Sequence, residues 1–192
     1  PKLWLSLGLG LIAGLADYLG GVLLVRRSPS AKSLRYFVAL GAGFMLAAAL
    51  LEMVPEGMAV NPKWGAVLIL IGYCAVHLLE HSLVPHFHFG EETHHHEFLS
   101  AKTSYSVLLG LAAHTFFDGV AIGSGFVVSD WLGWVLFFAV FLHKLPEGFT
   151  VASVMMAGGQ SGRAALNSAL FLGATTVLGV LVINLQPSLV CV

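Results

Sequence analysis

The sequence predicts an all-α membrane protein, a polytopic helix bundle that forms a single transmembrane domain over residues 1–192. Hydrophobic residues make up 57% of the chain and charged residues only 10%, which is typical of proteins that span a bilayer. Six apolar stretches are each long enough, at roughly 20 residues, to cross the hydrocarbon layer as a helix. They are continuous runs with Gly and Ala at helical spacing, without the alternation that a transmembrane β-barrel needs.

The predicted spans run, in chain order, from Leu3 to Val25, Leu34 to Val54, Trp64 to Val84, Ser104 to Val128, Trp131 to Met156 and Ala164 to Leu185. The first is too long and too rich in glycine for an ordinary signal-peptide core, so we interpret it as part of the mature protein. The loop Arg26–Arg35 is the densest basic segment, and the positive-inside rule predicts that it is cytoplasmic. The N-terminus is then outside, and the expected location is the cell membrane, either an inner or a plasma membrane.

Charge and cysteine content argue against several classes of function. The formal net charge is −1, and the basic residues do not form a run with interleaved aromatics, so nothing indicates a nucleic-acid partner. The two cysteines, Cys74 and Cys191, lie in the middle of a span and near the end of the chain. Neither a disulfide framework nor a thiolate metal site is supported. Nothing in the sequence indicates an organic cofactor.

Acidic residues in the first two spans are candidate stations on an ion pathway. Asp17 is flanked by small residues that let another helix pack closely, so it is predicted to face the protein interior. The alternative is an aspartate satisfied by a neighbouring hydroxyl. Glu52 and Glu56, four residues apart near the outer end of the second span, could line an entrance that gathers cations. The alternative for them is a solvated pair at a helix end.

Histidines dominate the cytoplasmic end of the third span and the loop that follows it. His77, Glu80 and His81 share one helix face and could form a lower relay or simply lie in water at the interface. The loop at 85–103 is rich in histidine and acids, a composition that binds transition metals loosely because a polar loop fixes no geometry. Its candidate ligands are His86, His88, His94, His95 and His96.

The fourth and fifth spans each carry a histidine and a carboxylate four residues apart. In His114-Thr-Phe-Phe-Asp118-Gly119 and His143-Lys-Leu-Pro-Glu147-Gly148 the helical period places both polar groups on one face. A charged group at that depth costs at least roughly 2.5–3.5 kcal/mol on insertion scales. Two imidazoles and two carboxylates are a ligand set suited to a divalent transition metal. Proline in the second segment also leaves a carbonyl without its helical donor, as in many ion pathways.

These two segments resemble the signature segments of the ZIP (Zrt/Irt-like) metal transporters. The six spans, the His-rich loop after the third and the external N-terminus are similar too, so the resemblance covers essentially the whole chain. It implies eight helices in the usual family member. The first, fourth, fifth and sixth helices would form a moving bundle, and the others a scaffold. It also implies that His114, Asp118, His143 and Glu147 form the first position of a two-metal centre.

The chain departs from the family pattern in two respects. At the second metal position it has Thr115, Lys144 and, by a looser match, Thr176, all weaker ligands than the family's amide and acids. We therefore predict a mononuclear site, with the Lys144 ammonium near Glu147 in place of a second ion; the alternative is that Lys144 snorkels to the outer interface. The last two helices of the family are not seen. The chain is interpreted as a fragment, or as a protein whose partner subunits, for example in a homodimer, supply the missing packing.

The function predicted from these features is transport of a divalent metal toward the cytoplasm, and the protein is not expected to be an enzyme. Nitrogen and oxygen ligands without thiolate suit zinc first, and also admit iron, manganese or cadmium. An intramembrane zinc metallohydrolase, in which the metal activates water, is the alternative from another class. A metal-binding sensor that does not translocate is a third. The additional polar stations favour transport, because an enzyme needs no route through the membrane.

Overall fold

The computed structural model describes residues 2–26, 36, 39–40, 43–44, 46–83 and 101–186. Every regular element in these ranges is helical, which confirms the predicted all-α class. The helices are α1 (Lys2–Arg26), α2 (Val54–Val60, preceded by a π-helical turn at Ala49–Met53), α3 (Gly65–Leu83), α4 (Ala101–Val128), α5 (Asp130–Ala157) and α6 (Gly162–Leu185).

Four of the predicted spans, α1, α4, α5 and α6, are long and apolar enough to cross a membrane. The described part of the second predicted span is helical and continues through the π-helical turn into α2. Helix α3 follows the third predicted span, and its apolar part is the shorter stretch Gly65–Ala75. The basic loop after α1, residues 85–100 of the His-rich loop and Cys191 lie outside the described residues. Residues 101–103, predicted as the end of that loop, are the first turn of α4. The fold is thus the expected membrane helix bundle.

Local sequence signals set the helix boundaries around the site. Ser129 and Ser161 cap α5 and α6, each with its hydroxyl accepting a hydrogen bond from a backbone N–H three residues later. Gly159 occupies the turn between these helices with φ of 79°, in the left-handed region that favours glycine. Helix α5 passes without interruption through Pro146. Helices α4 and α5 are separated by Ser129 alone and pack against each other as a helical hairpin.

The four long helices pack into one bundle, with α1 and α4 each lying against both α5 and α6. Two hydrophobic clusters fill its interior. One contains Leu108, Ala112, Val151, Ala152, Met155, Ala165, Ala169 and Leu172. The other contains Leu9, Ala13, Ile122, Phe126, Phe137, Val140 and Val180. Along both α4 and α5, the histidine and the carboxylate lie between the residues of one cluster and those of the other. Apolar packing therefore flanks these polar residues on both sides.

The bundle is the set of helices that the family resemblance assigns to the moving part. Helices α2 and α3 stand beside it, and α3 contacts it through α4. A cleft of about 630 Å³ separates the two parts, lined by α2 and α3 on one side and by α4 and α5 on the other. Large apolar side chains such as Leu15, Phe138 and Leu178 remain exposed on the outside of the bundle. Lipid is the solvent that suits such a surface.

Glycines set the distance between the long helices. A methyl group added at Gly148 of α5 would collide with the backbone carbonyl of Asp17 in α1, and one at Gly20 would collide with the carbonyl of Leu145. Small residues at such crossings let membrane helices approach backbone to backbone. Helix α1 is therefore held directly against the segment of α5 that carries the histidine, the lysine and the glutamate.

Candidate metal centre

The two His/carboxylate pairs lie at the middle of the bundle. His114 and His143 are each near the centre of a helix of 28 residues, roughly 20 Å from either end at 1.5 Å per residue. This is the depth at which an unpaired charge is most costly. The residues there must therefore pair with one another or with an ion.

The structure brings the four sequence-predicted ligands together. One donor atom from each of His114, Asp118, His143 and Glu147 lies within 4.8 Å of all the others. Asp118 Oδ2 is 3.2 Å from His143 Nε2 and 3.7 Å from His114 Nε2, and Glu147 Oε2 is 3.9 Å from His143 Nε2. A zinc ion about 2.0–2.2 Å from each nitrogen and oxygen would separate neighbouring ligand atoms by distances of this size.

The ring of His143 is oriented for metal binding. Its Nδ1 lies 2.9 Å from the carbonyl oxygen of Ala139, and a carbonyl only accepts, so the neutral ring carries its hydrogen on Nδ1. Nε2 then presents a lone pair toward the carboxylate of Asp118, 3.2 Å away. Two acceptors facing each other at this distance are stabilised by a cation between them. The backbone carbonyl thus fixes the tautomer that a metal ligand needs.

The four ligands differ in exposure. His143 and Glu147 are buried, while the side chains of Asp118 and His114 are 12% and 40% exposed. The rings of His114 and His143 lie 5.9 Å apart and tilted by 54°. The centre therefore opens to the surface on the side of His114.

Lys144 lies inside the bundle with no exposed surface, so it does not snorkel to the interface. Its Nζ donates to Glu147 Oε2 at 2.7 Å and lies 2.9 Å from Asp118 Oδ2. Asp17 Oδ2 of α1 is 3.5 Å from the same nitrogen. The ammonium therefore sits among three carboxylates, two of which belong to the candidate metal ligands.

Asp17 faces the interior, as the small residues around it predict. It is fully buried, and its neighbour is the Lys144 ammonium rather than the hydroxyl of the alternative interpretation. Sequence spacing does not predict this pairing, because the two residues lie on different helices and share no motif. The only sequence signal was that an intramembrane acid needs a partner.

The threonines predicted at the second metal position are buried but bond locally. Thr115 donates to the carbonyl of Ala112, and Thr176 to that of Leu172. The side chain that meets the Thr115 hydroxyl across the helix interface is Thr175, the neighbour of the predicted residue. A match along the sequence does not determine which of two adjacent residues faces a neighbouring helix.

The predicted pathway residues outside the bundle do not join the centre in the described part of the chain. Glu56 is exposed and lines the cleft beside α4, and Glu52 is half-buried in the π-helical turn. His77 is exposed and stacks on Tyr73 at 5.9 Å. The side chains of Glu80 and His81 lie outside the described residues, as do His86, His88, His94, His95 and His96.

Comparison with known proteins adds an independent observation. Residues 91–185 match the family model described as ZIP Zinc transporter. Zinc transporter ZIP9 of Xenopus tropicalis is 25% identical over 85% of this chain and 67% of its own length. Zinc transporter ZupT of Escherichia fergusonii is 32% identical, and that of Enterobacter sp. (strain 638) 29% identical, each over 59% of this chain. The chain spans 47% of the length of both ZupT proteins.

Proposed function

This chain carries a ZIP family domain, as its signature segments predict and the matches confirm, and we propose that it moves a divalent metal ion across the membrane through one site between α4 and α5. The observation that carries the proposal is the convergence of His114, Asp118, His143 and Glu147 at the middle of a membrane bundle. Neither helix could hold a dication alone. A bundle that moves relative to α2 and α3 could expose the site to one side of the membrane and then to the other.

The charge of the buried cluster supports a single dication. With all three carboxylates ionised and both imidazoles neutral, this group and the Lys144 ammonium carry two negative charges at the middle of the bundle. A divalent ion bound by the four ligands would cancel them. A net charge left uncompensated at this depth would be costly, so the cluster favours a cation of charge two.

Lys144 supports a mononuclear centre. Its ammonium already contacts the carboxylates of Asp118 and Glu147, where a second metal would need its ligands. A unit charge and a dication about 4 Å apart repel by about 8 kcal/mol at an effective dielectric near 20, before screening by the ligands. Even a small part of that energy disfavours a second ion.

The ligand types and the relatives together favour zinc. Two imidazoles and two carboxylates suit zinc, and admit iron, manganese and cadmium with less preference. The relatives reported above are named zinc transporters. The predicted topology gives the direction, toward the cytoplasm. The cleft that holds Glu56 lies beside the end of α4 that this topology places outside, where it could receive the ion.

The names of the relatives also favour a transporter over an enzyme. A metallohydrolase would keep one metal position open for water and would need a substrate channel with a general base. The four candidate ligands here can fill a tetrahedral shell, which leaves no position for water. Glu147, the carboxylate that would have to act as the general base, accepts a hydrogen bond from Lys144. A transported metal needs no further reactant.

Uptake into vesicles tests the proposal. The chain is reconstituted into proteoliposomes that enclose a zinc-sensitive dye, and zinc is added outside without any other substrate. We expect saturable uptake by the natural sequence and little by Asp118→Asn, which keeps the side-chain shape and removes a ligand charge. Asp130→Asn is the matched control, because Asp130 is an exposed acid paired with Lys2 at the helix end. Equal uptake by Asp118→Asn and Asp130→Asn would contradict the site.

A further inference from the structure

Asp17 is a buried carboxylate whose bonding needs are not met in this structure. Neither of its side-chain oxygens has a hydrogen-bond partner among the described residues, although both are inaccessible to solvent. Buried polar groups are nearly always bonded, so an exception of this kind needs an explanation. The nearest cation is the Lys144 ammonium, 3.5 Å from Oδ2 and just beyond the length of a charged hydrogen bond.

The same ammonium occupies the oxygens that a metal would use. Lys144 Nζ contacts Asp118 Oδ2 at 2.9 Å and Glu147 Oε2 at 2.7 Å. Both oxygens also face His143 Nε2, at 3.2 and 3.9 Å. The lysine and a bound metal therefore compete for the two carboxylates and repel each other. A metal bound to these two oxygens would leave the ammonium in need of another partner.

Helix packing holds one such partner nearby. Gly148 lies against the backbone carbonyl of Asp17, and Gly20 against that of Leu145, so the backbones of α1 and α5 are in close contact at this crossing. Asp17 is thereby held beside the stem of Lys144. The four-carbon stem of Lys144 is flexible, so its ammonium can move while both helices stay in place.

We propose that Asp17 is a positioning residue that receives the Lys144 ammonium when a metal ion takes Asp118 and Glu147. The ammonium moves by about 1 Å, from the charged hydrogen bonds with the two ligands to one with Asp17. No proton is transferred and the cluster keeps its charge. Asp17 therefore lowers the cost of removing the lysine from the ligands. The inference rests on the proposed function, since it assumes that the four ligands bind a metal.

A zinc-bound structure of the chain tests the movement directly. Anomalous scattering locates the zinc ion, and the distances from Lys144 Nζ to the carboxylate oxygens of Asp17, Asp118 and Glu147 are measured. We expect Nζ within hydrogen-bond distance of Asp17 and beyond hydrogen-bond distance of Glu147 Oε2. Zinc at the four ligands with the ammonium still on Glu147 would overturn the inference and leave the proposed function intact. Zinc found elsewhere would overturn both.

A double-mutant cycle on zinc affinity separates this role from a merely structural one. Asp17→Asn keeps the shape of the side chain but removes the receiving charge, and Lys144→Met removes the ammonium with little change in volume. We expect Asp17→Asn to weaken zinc binding, and to weaken it less in the Lys144→Met background by a factor of roughly 3 to 100, the usual range for coupled residues. Asp130→Asn should change affinity in neither background.

Equal effects of Asp17→Asn in both backgrounds would mean that Asp17 acts only through its charge or its packing, and would overturn the inference. If the protein with the natural sequence does not bind zinc, the proposed function is contradicted instead. The zinc-bound structure of the natural sequence decides the question if Asp17→Asn does not fold.

Discussion

The Lys144 ammonium lies 2.7 Å from Glu147 Oε2, one turn along the same helix and inside the bundle. This pair places a positive charge within the candidate metal centre. We expect it to limit the centre to one ion, because a nearby ammonium repels a second dication.

Replacing Lys144 should change the stoichiometry of bound metal. We expect Lys144→Asp to raise zinc at the centre from one ion per chain toward two, since the substitution exchanges the repelling cation for a ligand. The measurement is metal content by mass spectrometry, in a background with His94, His95 and His96 changed to Ser. Lys63→Asp, an exposed lysine given the same change, is the control. Two ions at the centre of the natural sequence would refute the prediction.

The two histidines should contribute unequally to zinc affinity. His143 is buried and its ring is held by the carbonyl of Ala139, whereas the side chain of His114 is 40% exposed and its Nε2 is farther from Asp118. We expect His143→Ala to lower zinc affinity by at least about tenfold, because loss of a residue that only supports a metal ligand already costs about that much. We expect His114→Ala to lower zinc affinity less.

Competition with a zinc chelator of known affinity measures both histidine variants. Asp130→Asn, at an exposed acid paired with Lys2, serves as the control, with no change expected. The assigned geometry is wrong if His114→Ala proves the more damaging change.

Gly148 should be essential for packing of α1 on α5. An added methyl group would meet the backbone carbonyl of Asp17, which cannot rotate away, so we expect Gly148→Ala to destabilise the fold by about 1–3 kcal/mol. Gly8→Ala is the matched control, because a methyl group at Gly8 of α1 meets no atom within 4 Å. Thermal unfolding in detergent measures both, and equal midpoints would show that the helices do not cross at Gly148.

The His-rich loop should bind metal without controlling uptake. Changing His94, His95 and His96 to Ser removes ligands from a polar segment, so total bound zinc should fall while the uptake rate stays within a few-fold of the natural sequence. Metal content and vesicle uptake are measured on the same preparation. If uptake stops, the loop belongs to the route of the ion, and its role as a loose metal-binding segment is wrong.

Local periodicity was sufficient to predict the helical class and to pair the four candidate metal ligands two by two. A residue and its fourth neighbour share one face of a helix in any tertiary context, so His114 with Asp118, and His143 with Glu147, could be paired from spacing alone. The cost of polar groups in a bilayer then indicated that both pairs face inward. The i, i+3 contact of Lys144 with Glu147 followed from the same rule.

Contacts between helices could not be read from spacing, because they depend on how each helix is rotated and where it crosses its neighbours. Successive residues of a helix point about 100° apart. Only packing of α6 on α4 could decide that Thr175, rather than Thr176, meets Thr115. The crossing of α1 and α5 at Gly20 and Gly148 likewise placed Asp17 beside Lys144, 127 positions away in the chain. Burial of the lysine, which the sequence left open, follows from that crossing because helix α1 covers the ammonium with a carboxylate.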